Sequence, residues 1–207
     1  MTAAAVSARA PGRPLEFDVD QVLDRAIEVF REVGFEATSM ADLERATGLN
    51  KSSIYNTFGS KELIYRRSLD RYERVRLIAI REVLAAGTAG LEDVHSALDL
   101  QQAECESDWG VRGCLAVNSM TEVAPRMAEV RSLAVGFRSS LSELIRMPHE
   151  RAATLGEMRE DQVPEAVALL TSLTLAVGVL MRAGASHAEL AAHFAAAHAA
   201  VESWRPR

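Results

Sequence analysis

Apolar side chains recur at the spacing of an α-helix along most of the chain. The first run is preceded by Asp18, with Gln21 three residues on, and is followed by Gly34. Asp and Gln at this spacing resemble a capping box, and a glycine commonly ends a helix. The pattern predicts an amphipathic first helix of about four turns. Its inward positions are Val19, Val22, Leu23, Ala26, Ile27, Phe30 and Val33.

Two short helices are predicted next, separated by a turn that contains glycine. Ser39, with Asp42 three residues on, opens the first of them, and Gly48 ends it after about two turns. Asn50 can cap a further helix at once, and this helix is predicted over 51–58. The pattern therefore places two short helices directly after the first amphipathic one.

A long helix and a second group of helices complete the chain. No proline or glycine interrupts residues 61–86, which predicts a helix about 40 Å long that bridges two parts of the molecule. Pro148 is expected to break or kink the chain after Met147. Further helices are predicted near 92–107, 114–123, 126–146, 164–184 and 186–203.

Composition agrees with an all-α fold. Apolar residues make up 48% of the 207 residues and aromatic residues only 5%, which favours helices packed closely through small side chains. The apolar stretch 166–181 is shorter than the roughly 20 residues of a membrane span, so a buried helix is expected there. The start of the chain lacks the apolar core of a signal peptide, and we expect a cytoplasmic protein with no membrane partner.

Charge is distributed unevenly. The formal net charge is −6, which argues against a protein that coats nucleic acid indiscriminately. Within residues 51–81, however, eight basic and three acidic residues leave a net charge of +5. This segment can therefore present a local basic face.

The two short helices match the helix-turn-helix arrangement, in which the second helix enters the major groove of DNA. Ile54 and Phe58 are spaced to face a core, and small hydroxyl groups and an asparagine suit phosphates and base edges on the other side. An ordinary three-helix subdomain with a solvated polar face is the alternative. The outward positions of the second helix are Lys51, Ser52, Ser53, Tyr55 and Asn56.

Lys61 marks a second positive helix start. It follows Ser60, the predicted cap of the long helix. The free N–H groups and the dipole at a helix N-terminus favour a phosphate. Lys51 and Lys61 are therefore expected to lie on either side of the groove.

The stretch "AIEVFREVGFEATSMADLERATGLNKSSIYNTFGSKELIY" resembles the N-terminal domain of the TetR family of transcriptional regulators. The resemblance covers about residues 20–65 without a gap. It implies a helix-turn-helix DNA-binding domain at 18–65 and a C-terminal regulatory and dimerisation domain at 66–207, after a flexible arm at 1–17.

By this resemblance, six positions are expected to meet DNA, with Tyr55 and Lys61 on the backbone. One departure is Ala41, which stands where some relatives carry an arginine that reads a base. Specificity would then depend more on the second short helix and on the arm. The six positions are Ser39, Lys51, Ser53, Tyr55, Asn56 and Lys61.

The last two helices are predicted to form a homodimer interface. The helix at 164–184 is apolar nearly all round, so one core cannot cover it, and the helix at 186–203 offers alanines that allow close approach. A purely internal pair of core helices is the alternative. A two-fold dimer would read a palindromic operator, and a small-molecule effector would release it by favouring another dimer geometry. Such a protein is expected to be a repressor.

The effector site is expected after the long helix, where "GCL" resembles the start of a helix beneath the pocket in many relatives. Ordinary core or surface packing is the alternative for each candidate side chain, and the ligand cannot be identified from them. The candidates are Trp109, Asn118, Met120, Glu122, Phe137 and Arg138.

The two cysteines give an alternative form of control. Gly110 and Gly113 suggest that the chain turns between Cys105 and Cys114, and Arg112 could lower the pKa of a thiol. The alternative function is therefore a repressor that senses oxidants or electrophiles through these thiols, against simple packing of Cys114.

Other classes of function have weaker support in the sequence. No catalytic or phosphate-binding motif is present, so an enzyme is not expected and no cofactor is implied. The five histidines lack partners at metal-ligand spacing, so no metal site is predicted. A helical interaction module that does not bind DNA is the alternative from a different class.

Overall fold

The computed structural model describes residues 17–107 and 110–206, and these residues form helices joined by turns, without a strand. The predicted all-α fold is confirmed. Residues 1–16 of the predicted arm lie outside the described residues. The helices are α1 (Val19–Ala37), α2 (Met40–Thr47), α3 (Lys51–Phe58), α4 (Lys61–Ala86), α5 (Leu91–Cys105), α6 (Leu115–Glu122), α7 (Ala128–Thr154), α8 (Val163–Arg182) and α9 (His187–Ser203), with short 3₁₀ turns at Gly110–Arg112 and Glu160–Gln162.

Helices α1, α2 and α3 pack with the start of α4 around an aromatic cluster. The ring of Phe30 meets that of Tyr65 edge to face, with centroids 4.9 Å apart. Phe35 lies 4.8 Å from the same tyrosine ring. Burial of these rings holds the three short helical segments in one unit. Leu43, Ile54 and Phe58 complete this core.

The caps predicted for α2 and α3 are present. Ser39 and Asp42 form a reciprocal capping box at the start of α2. The backbone N–H of Ser53 donates to Asn50 Oδ1 at 2.8 Å at the start of α3. Gly48 ends α2 in the left-handed conformation, with φ 75°, which a residue without a side chain adopts at no steric cost. Local sequence chemistry therefore fixes both ends of the connection between the two helices.

Helix α1 begins after its predicted cap, Asp18, and is interrupted by a kink at its predicted stop, Gly34. Asp18 accepts a hydrogen bond from the N–H of Asp20 at 2.8 Å, and the capping box predicted with Gln21 is not formed. Gly34 leaves the helical conformation with φ 84° and ψ 173°. A Cβ atom there would lie 2.9 Å from the carboxylate of Glu122, so that flexible side chain would have to shift, and the positive φ is what favours glycine.

Helices α5, α7, α8 and α9 form a second core, and α4 connects it to the first unit. Helix α4 has 26 residues and is therefore about 39 Å long. It packs against α1 at its start and against α5 and α7 further along. The prediction of a long bridging helix is confirmed. Buried side chains of the second core include Leu91, Val94, Leu98, Leu170, Phe194, Val201 and Trp204.

The later helices have the predicted order, and α5, α6, α8 and α9 begin and end close to the predicted residues. The prediction for α7 is wrong at its C-terminal end. This helix was expected to end at residue 146 but runs to Thr154, through Pro148. Proline normally costs a helix interior about 3 kcal/mol, because it lacks an N–H and crowds the preceding turn.

Packing around Pro148 explains why the helix continues. Pro148 and Ala152 are buried, so extending the helix places apolar surface in the second core. The next residue also provides a side-chain donor, since His149 Nδ1 lies 2.7 Å from the carbonyl oxygen of Ile145. Tertiary burial therefore outweighs the local cost of the proline.

Helix α8 is apolar on two sides. With the turn before it, the segment Glu160–Arg182 is long and apolar enough to cross a membrane by length and composition alone. One side packs inside the protein through Ala166, Val167 and Leu170. The other side exposes Leu169 and Val179, at 47% and 49%. The buried helix expected at 166–181 is thus covered on one side only.

Two histidines join α5 to α9. The rings of His95 and His198 stack with centroids 4.9 Å apart, and their Nδ1 atoms are 2.7 Å apart. One Nδ1 must donate and the other accept at this distance. His95 Nε2 lies 2.7 Å from Glu202, and His198 Nε2 lies 3.2 Å from Asp99. The distance between the two Nδ1 atoms is too short for a metal ion between them, because each metal–nitrogen bond would be about 2.0 Å long. The described residues also hold no group of three or more side chains that could bind a metal ion.

Glu73 on α4 is expected to make stability depend on pH. It is buried, its Oε1 has no hydrogen-bond partner in the described part of the chain, and burial, with Asp70, raises its pKa from 4.5 to about 7. The folded protein therefore binds more protons than the unfolded chain between about pH 4.5 and 7. The free energy of unfolding falls as pH rises through this window.

Glu73→Gln removes this dependence. The variant is expected to gain up to about 3 kcal/mol over the parent chain at pH 8 and little at pH 4.5. Urea unfolding at both pH values, at equal protein concentration, measures the difference. Glu82→Gln, an exposed change on the same helix, is the control. A gain for Glu73→Gln that does not change with pH would contradict the assignment.

Candidate nucleic-acid interface and internal cavity

Helix α3 presents a polar face to solvent and an apolar face to the core. Ile54 and Phe58 are 1% and 4% exposed and hold the helix against α1 and α4. Tyr55, on the other side, is 41% exposed, and Lys51 Nζ lies 5.9 Å from the centroid of its ring. Positions one turn apart share a helix face, so the exposed side chains form one surface. These are Lys51, Ser52, Tyr55 and Asn56.

Two serines predicted at the interface lie at the starts of helices. Ser39 is exposed, and its hydroxyl donates to Asp42 Oδ2 at 2.6 Å while it caps α2. Ser53, in the first turn of α3, is half-buried and gives its backbone N–H to Asn50. The side chain of Ser39 therefore has a structural task, whereas Ser53 contributes its backbone to the cap. Their contact with DNA stays a prediction.

Lys61 is placed differently from the sequence-based expectation. Its Nζ donates to the carbonyl oxygens of Phe35 and Thr38, each at 2.9 Å, and to that of Glu36 at 3.4 Å. It also lies 4.5 Å from the centroid of the Phe35 ring. An ammonium group has three N–H donors, and these carbonyls use all of them. Lys61 therefore ties the start of α4 to the end of α1 and does not reach out for phosphate in this conformation.

The basic segment 51–81 offers fewer free cations to a DNA phosphate than its net charge of +5 implied. Arg71 pairs with Asp20 at 2.7 Å and with Asp24 at 2.6 Å. Arg76 pairs with Glu104 of α5 through both oxygens. Ion pairs within the protein reduce the charge that a DNA phosphate would meet. The exposed cations of the segment are Lys51, Arg66, Arg67, Arg74 and Arg81.

A buried arginine connects the three-helix unit to the second core. Arg31 on α1 is 0% exposed. Its Nε and Nη2 donate to the carbonyl oxygen of Gly113 at 3.2 and 3.1 Å, and its Nη1 lies 3.3 Å from Glu28. Gly113 lies in the turn before α6, 82 positions from Arg31. No local sequence pattern signals this contact.

Two further contacts hold the end of α1. Arg182 at the end of α8 donates to the carbonyl oxygens of Arg31 and Glu32, at 2.7 and 3.0 Å. Glu122 on α6 accepts the backbone N–H of Glu36 at 2.9 Å. Glu122 was predicted to line an effector site, and in this structure its carboxylate holds the joint between α1 and α6.

A largely apolar cavity of about 290 Å³ lies between α4, α5, α7 and α8. Most of its wall consists of aliphatic side chains from all four helices. The cavity lies along the second half of α4, whose first turn carries Lys61. Its polar wall residues are Arg76, Gln101, Glu104, His149 and Thr174, and sequence reasoning identified none of them.

The other side chains predicted to line the effector site lie outside this cavity. Arg138 is exposed to solvent. Asn118 and Met120 belong to α6, where Asn118 is buried and Met120 packs against the first core. Phe137 is buried and borders a smaller neighbouring cavity of about 40 Å³. Trp109 lies outside the described residues. The cavity is formed by helices that are distant in sequence, and contact of those four side chains with an effector stays a prediction.

Both cysteines border the smaller cavity and are free thiols. Burial raises the pKa of Cys105 to about 11, with a further contribution from Glu104. Cys105 is therefore a neutral thiol at pH 7. Arg112, which was expected to activate a thiol, instead pairs with Glu28 at 2.7 Å.

The sequence and the fold both match known regulators. Residues 22–67 match the family model for bacterial regulatory proteins of the tetR family. The chain is 34% identical over 124 residues to the HTH-type transcriptional repressor ComR of Escherichia coli (strain K12), 59% of each protein. A solved structure of the TetR family transcriptional regulator CifR, a cysteine mutant complexed with 26-bp double-strand operator DNA, has a TM-score of 0.79 and 29% identity over 91% of this chain and 99% of that one. In sequence and in fold, this chain is thus similar to TetR-family transcriptional regulators.

Further TetR-family relatives agree with this assignment. The HTH-type transcriptional repressor BdcR of the same E. coli strain is 27% identical over 122 residues, 59% of this chain and 62% of that protein. The alignments thus span about 60% of these curated relatives. A TetR-family regulator from Cytophaga hutchinsonii shares the fold, with a TM-score of 0.79 and 19% identity over 93% of this chain and 100% of that one. The family is one of transcriptional regulators and not of enzymes, as predicted from the sequence.

The two lysines give a matched test of the joint between α1 and α4. Lys61→Met is expected to lower the free energy of unfolding by about 1–3 kcal/mol, because three carbonyls lose a charged donor. Lys51→Met, at the only other lysine, is expected to change it by less than about 0.5 kcal/mol, since Lys51 is exposed. Urea unfolding followed by circular dichroism measures both variants. Equal losses would argue against the structural task assigned to Lys61.

Proposed function

We propose that this chain is a TetR-family transcriptional repressor that binds a palindromic DNA operator as a homodimer and is released by a small-molecule effector. The observation that carries the proposal is the exposed polar face of α3. This face follows a left-handed glycine turn and is held outward by two buried apolar anchors, Ile54 and Phe58. CifR, the TetR-family protein in the DNA complex, supports the same assignment.

The chemistry of α3 suits the major groove. Asn56 can form two hydrogen bonds with the edge of an adenine, and Lys51 can meet a phosphate or a guanine. Helix α3 has eight residues and no acidic side chain. Arg66 and Arg67, at the start of α4, add exposed positive charge near the same unit. A buried basic face would favour the alternative of an interaction module that does not bind DNA. Because these side chains are exposed, the DNA-binding proposal is preferred.

The proposed dimer uses the outward faces of α8 and α9. Leu169 and Val179 on α8 are about half exposed. Helix α9 exposes Ala192, Ala195 and Ala199, spaced so that they lie along one side of the helix. A second copy can approach such a surface closely because its side chains are small, and burial of the apolar face stabilises the pair. A two-fold dimer then carries two α3 helices to successive grooves of a palindrome.

The internal cavity is the proposed effector site. Helix α4 contributes Arg76, Ile80 and Leu84 to the cavity wall, and it starts at Lys61, beside the end of α1. A ligand that binds better when α4 is displaced would shift the position of α1 and α3 with it. The effector changes operator affinity only because it binds the arrangement with displaced α4 more tightly than the arrangement that binds the operator.

A thiol switch is the second candidate, favoured by the position of Cys105 and Cys114 around one small cavity. The burial that raises the pKa of Cys105 argues against a reactive thiolate at that position. Cys114 is half-buried and is the residue through which such a switch would act. The larger neighbouring cavity makes ligand control the preferred form of the proposal.

Loss of the Lys51 charge should reduce DNA binding. A palindromic duplex selected by the protein from a random pool serves as the operator. Lys51→Met is expected to weaken binding about tenfold and to lower the slope of log K against log salt by about one per subunit, because one phosphate contact is lost. Arg159→Met, a change at another exposed cation, which pairs with Asp161 in the turn before α8, is the control. Fluorescence anisotropy over a salt series would contradict the interface if both variants bind like the parent chain.

A charge on the outward face of α8 should break the dimer. Val179 and Val135 are both 49% exposed, the first on α8 and the second on α7. Val179→Glu is expected to shift the protein to monomer at micromolar concentration, because two carboxylates would face each other across the two-fold axis. Val135→Glu is expected to leave the dimer intact. Sedimentation equilibrium distinguishes these outcomes, and a Val179→Glu variant that stays dimeric would place the interface elsewhere.

A further inference from the structure

We propose that the cavity between α4, α5, α7 and α8 takes a small, uncharged, largely apolar molecule that donates one hydrogen bond, and that His149 Nε2 accepts it. The inference deepens the proposed function, because it rests on the assignment of this cavity to the effector. It names the chemical class of the ligand and the residue of this chain that selects it.

The size of the cavity limits the ligand. Its volume is about 290 Å³. An apolar cavity of about 150 Å³ is enough for benzene. The space between these four helices therefore matches about two fused aromatic rings or an aliphatic molecule of similar bulk. The cavity is open to solvent on one side, where Val83 and Leu100 of its wall are exposed, so a ligand can enter without unfolding of the helices.

The walls favour an uncharged molecule. Ile80, Leu98 and Leu141 are typical of the aliphatic lining. The two charged groups in the wall, Arg76 and Glu104, already neutralise each other in a bidentate ion pair. A charged ligand would lose its hydration without gaining a dedicated partner, which makes burial unfavourable.

His149 is the polar group that lacks a partner. It is 0% exposed and forms part of the cavity wall. Its Nδ1 lies 2.7 Å from the carbonyl oxygen of Ile145, so Nδ1 carries the proton that is donated. Nε2 is then an acceptor, and it has no hydrogen-bond partner among the described residues. Burial also lowers the pKa of His149, which keeps the ring neutral at physiological pH.

The surroundings of His149 fix the direction of the ring. The Ile145 carbonyl holds one edge, and Trp204 packs against the ring at 5.6 Å between centroids in an edge-to-face arrangement. Gln101, another polar group of the wall, is half-buried and contacts Thr174. Gln101 thus has a partner within the protein, whereas His149 Nε2 has none among the described residues. A ligand O–H or N–H group is the partner that fits a buried acceptor.

Three probes of nearly equal shape test the ligand class. Isothermal titration of the full chain without DNA compares 1-naphthol, 1-methylnaphthalene and 1-naphthoate. Naphthol is expected to bind about tenfold more tightly than methylnaphthalene, equivalent to about 1.4 kcal/mol, because it alone can donate to Nε2. Naphthoate is expected to bind most weakly. Equal affinity for naphthol and methylnaphthalene, or no binding of any probe, would overturn the inference.

Variants at position 149 assign the preference to this residue. His149→Phe keeps a ring but removes the acceptor, so naphthol and methylnaphthalene should bind equally. His149→Gln restores an acceptor and should recover part of the preference, which also serves if the Phe variant folds poorly. Thr171→Val removes a different buried hydroxyl without a partner, outside the cavity wall, and should leave the preference unchanged. An unchanged preference in His149→Phe would refute the role of His149.

Operator release separates this inference from the proposed function. If naphthol binds through His149 but leaves operator affinity unchanged, the ligand class stands and the effector role of the cavity fails. If naphthol releases the operator from the parent chain and from His149→Phe alike, the effector role stands and the inference about His149 is wrong.

Discussion

The contact between Arg31 and the carbonyl of Gly113 is the constraint on which the arrangement of the molecule depends. A guanidinium with no solvent exposure must find its hydrogen bonds inside the protein, because an unpartnered buried charge is very unfavourable. Arg31 finds them on the turn before α6, and Arg182 of α8 caps the carbonyls at the same point of α1. The three-helix unit is therefore held to the second core at one defined place.

Helix α4 provides a physical connection between the cavity and the unit that contains α3. Lys61 at the start of α4 binds the last carbonyls of α1, and Arg76 on the same helix forms part of the cavity wall. Helix α4 is continuous between these two points. In the proposed function, a ligand acts on one end of a stiff element whose other end is tied to the DNA-binding unit. Polar contacts between helices, and not the apolar core alone, carry this connection.

Two buried polar side chains without a partner affect the stability of the protein. Glu73 and His149 are both buried with an oxygen or nitrogen that lacks a partner in the described chain. Each is destabilising when charged, so each favours its neutral form. In the proposed function such groups have a use, because a bound ligand or a proton stabilises one arrangement over another.

Local chemistry in the sequence predicted much of this structure. The caps at Ser39 and Asn50, the turn at Gly48 and the apolar spacing of Ile54 and Phe58 define α2 and α3, because these interactions join residues only a few positions apart. The long helix α4 was predicted for the same reason. The exposed face of α3 follows directly, since a helix with two inward anchors has only one remaining outward side.

The tertiary structure alone decided the rest. Lys61 turned inward, Pro148 stayed within a helix, and His149 came to lie in a cavity wall, because each outcome depends on residues far away in the chain or on burial against other helices. The sequence therefore determined the helices and the exposed polar face of α3. Packing between distant helices determined which charges remain available and where a ligand can bind, since those properties arise only when the helices meet.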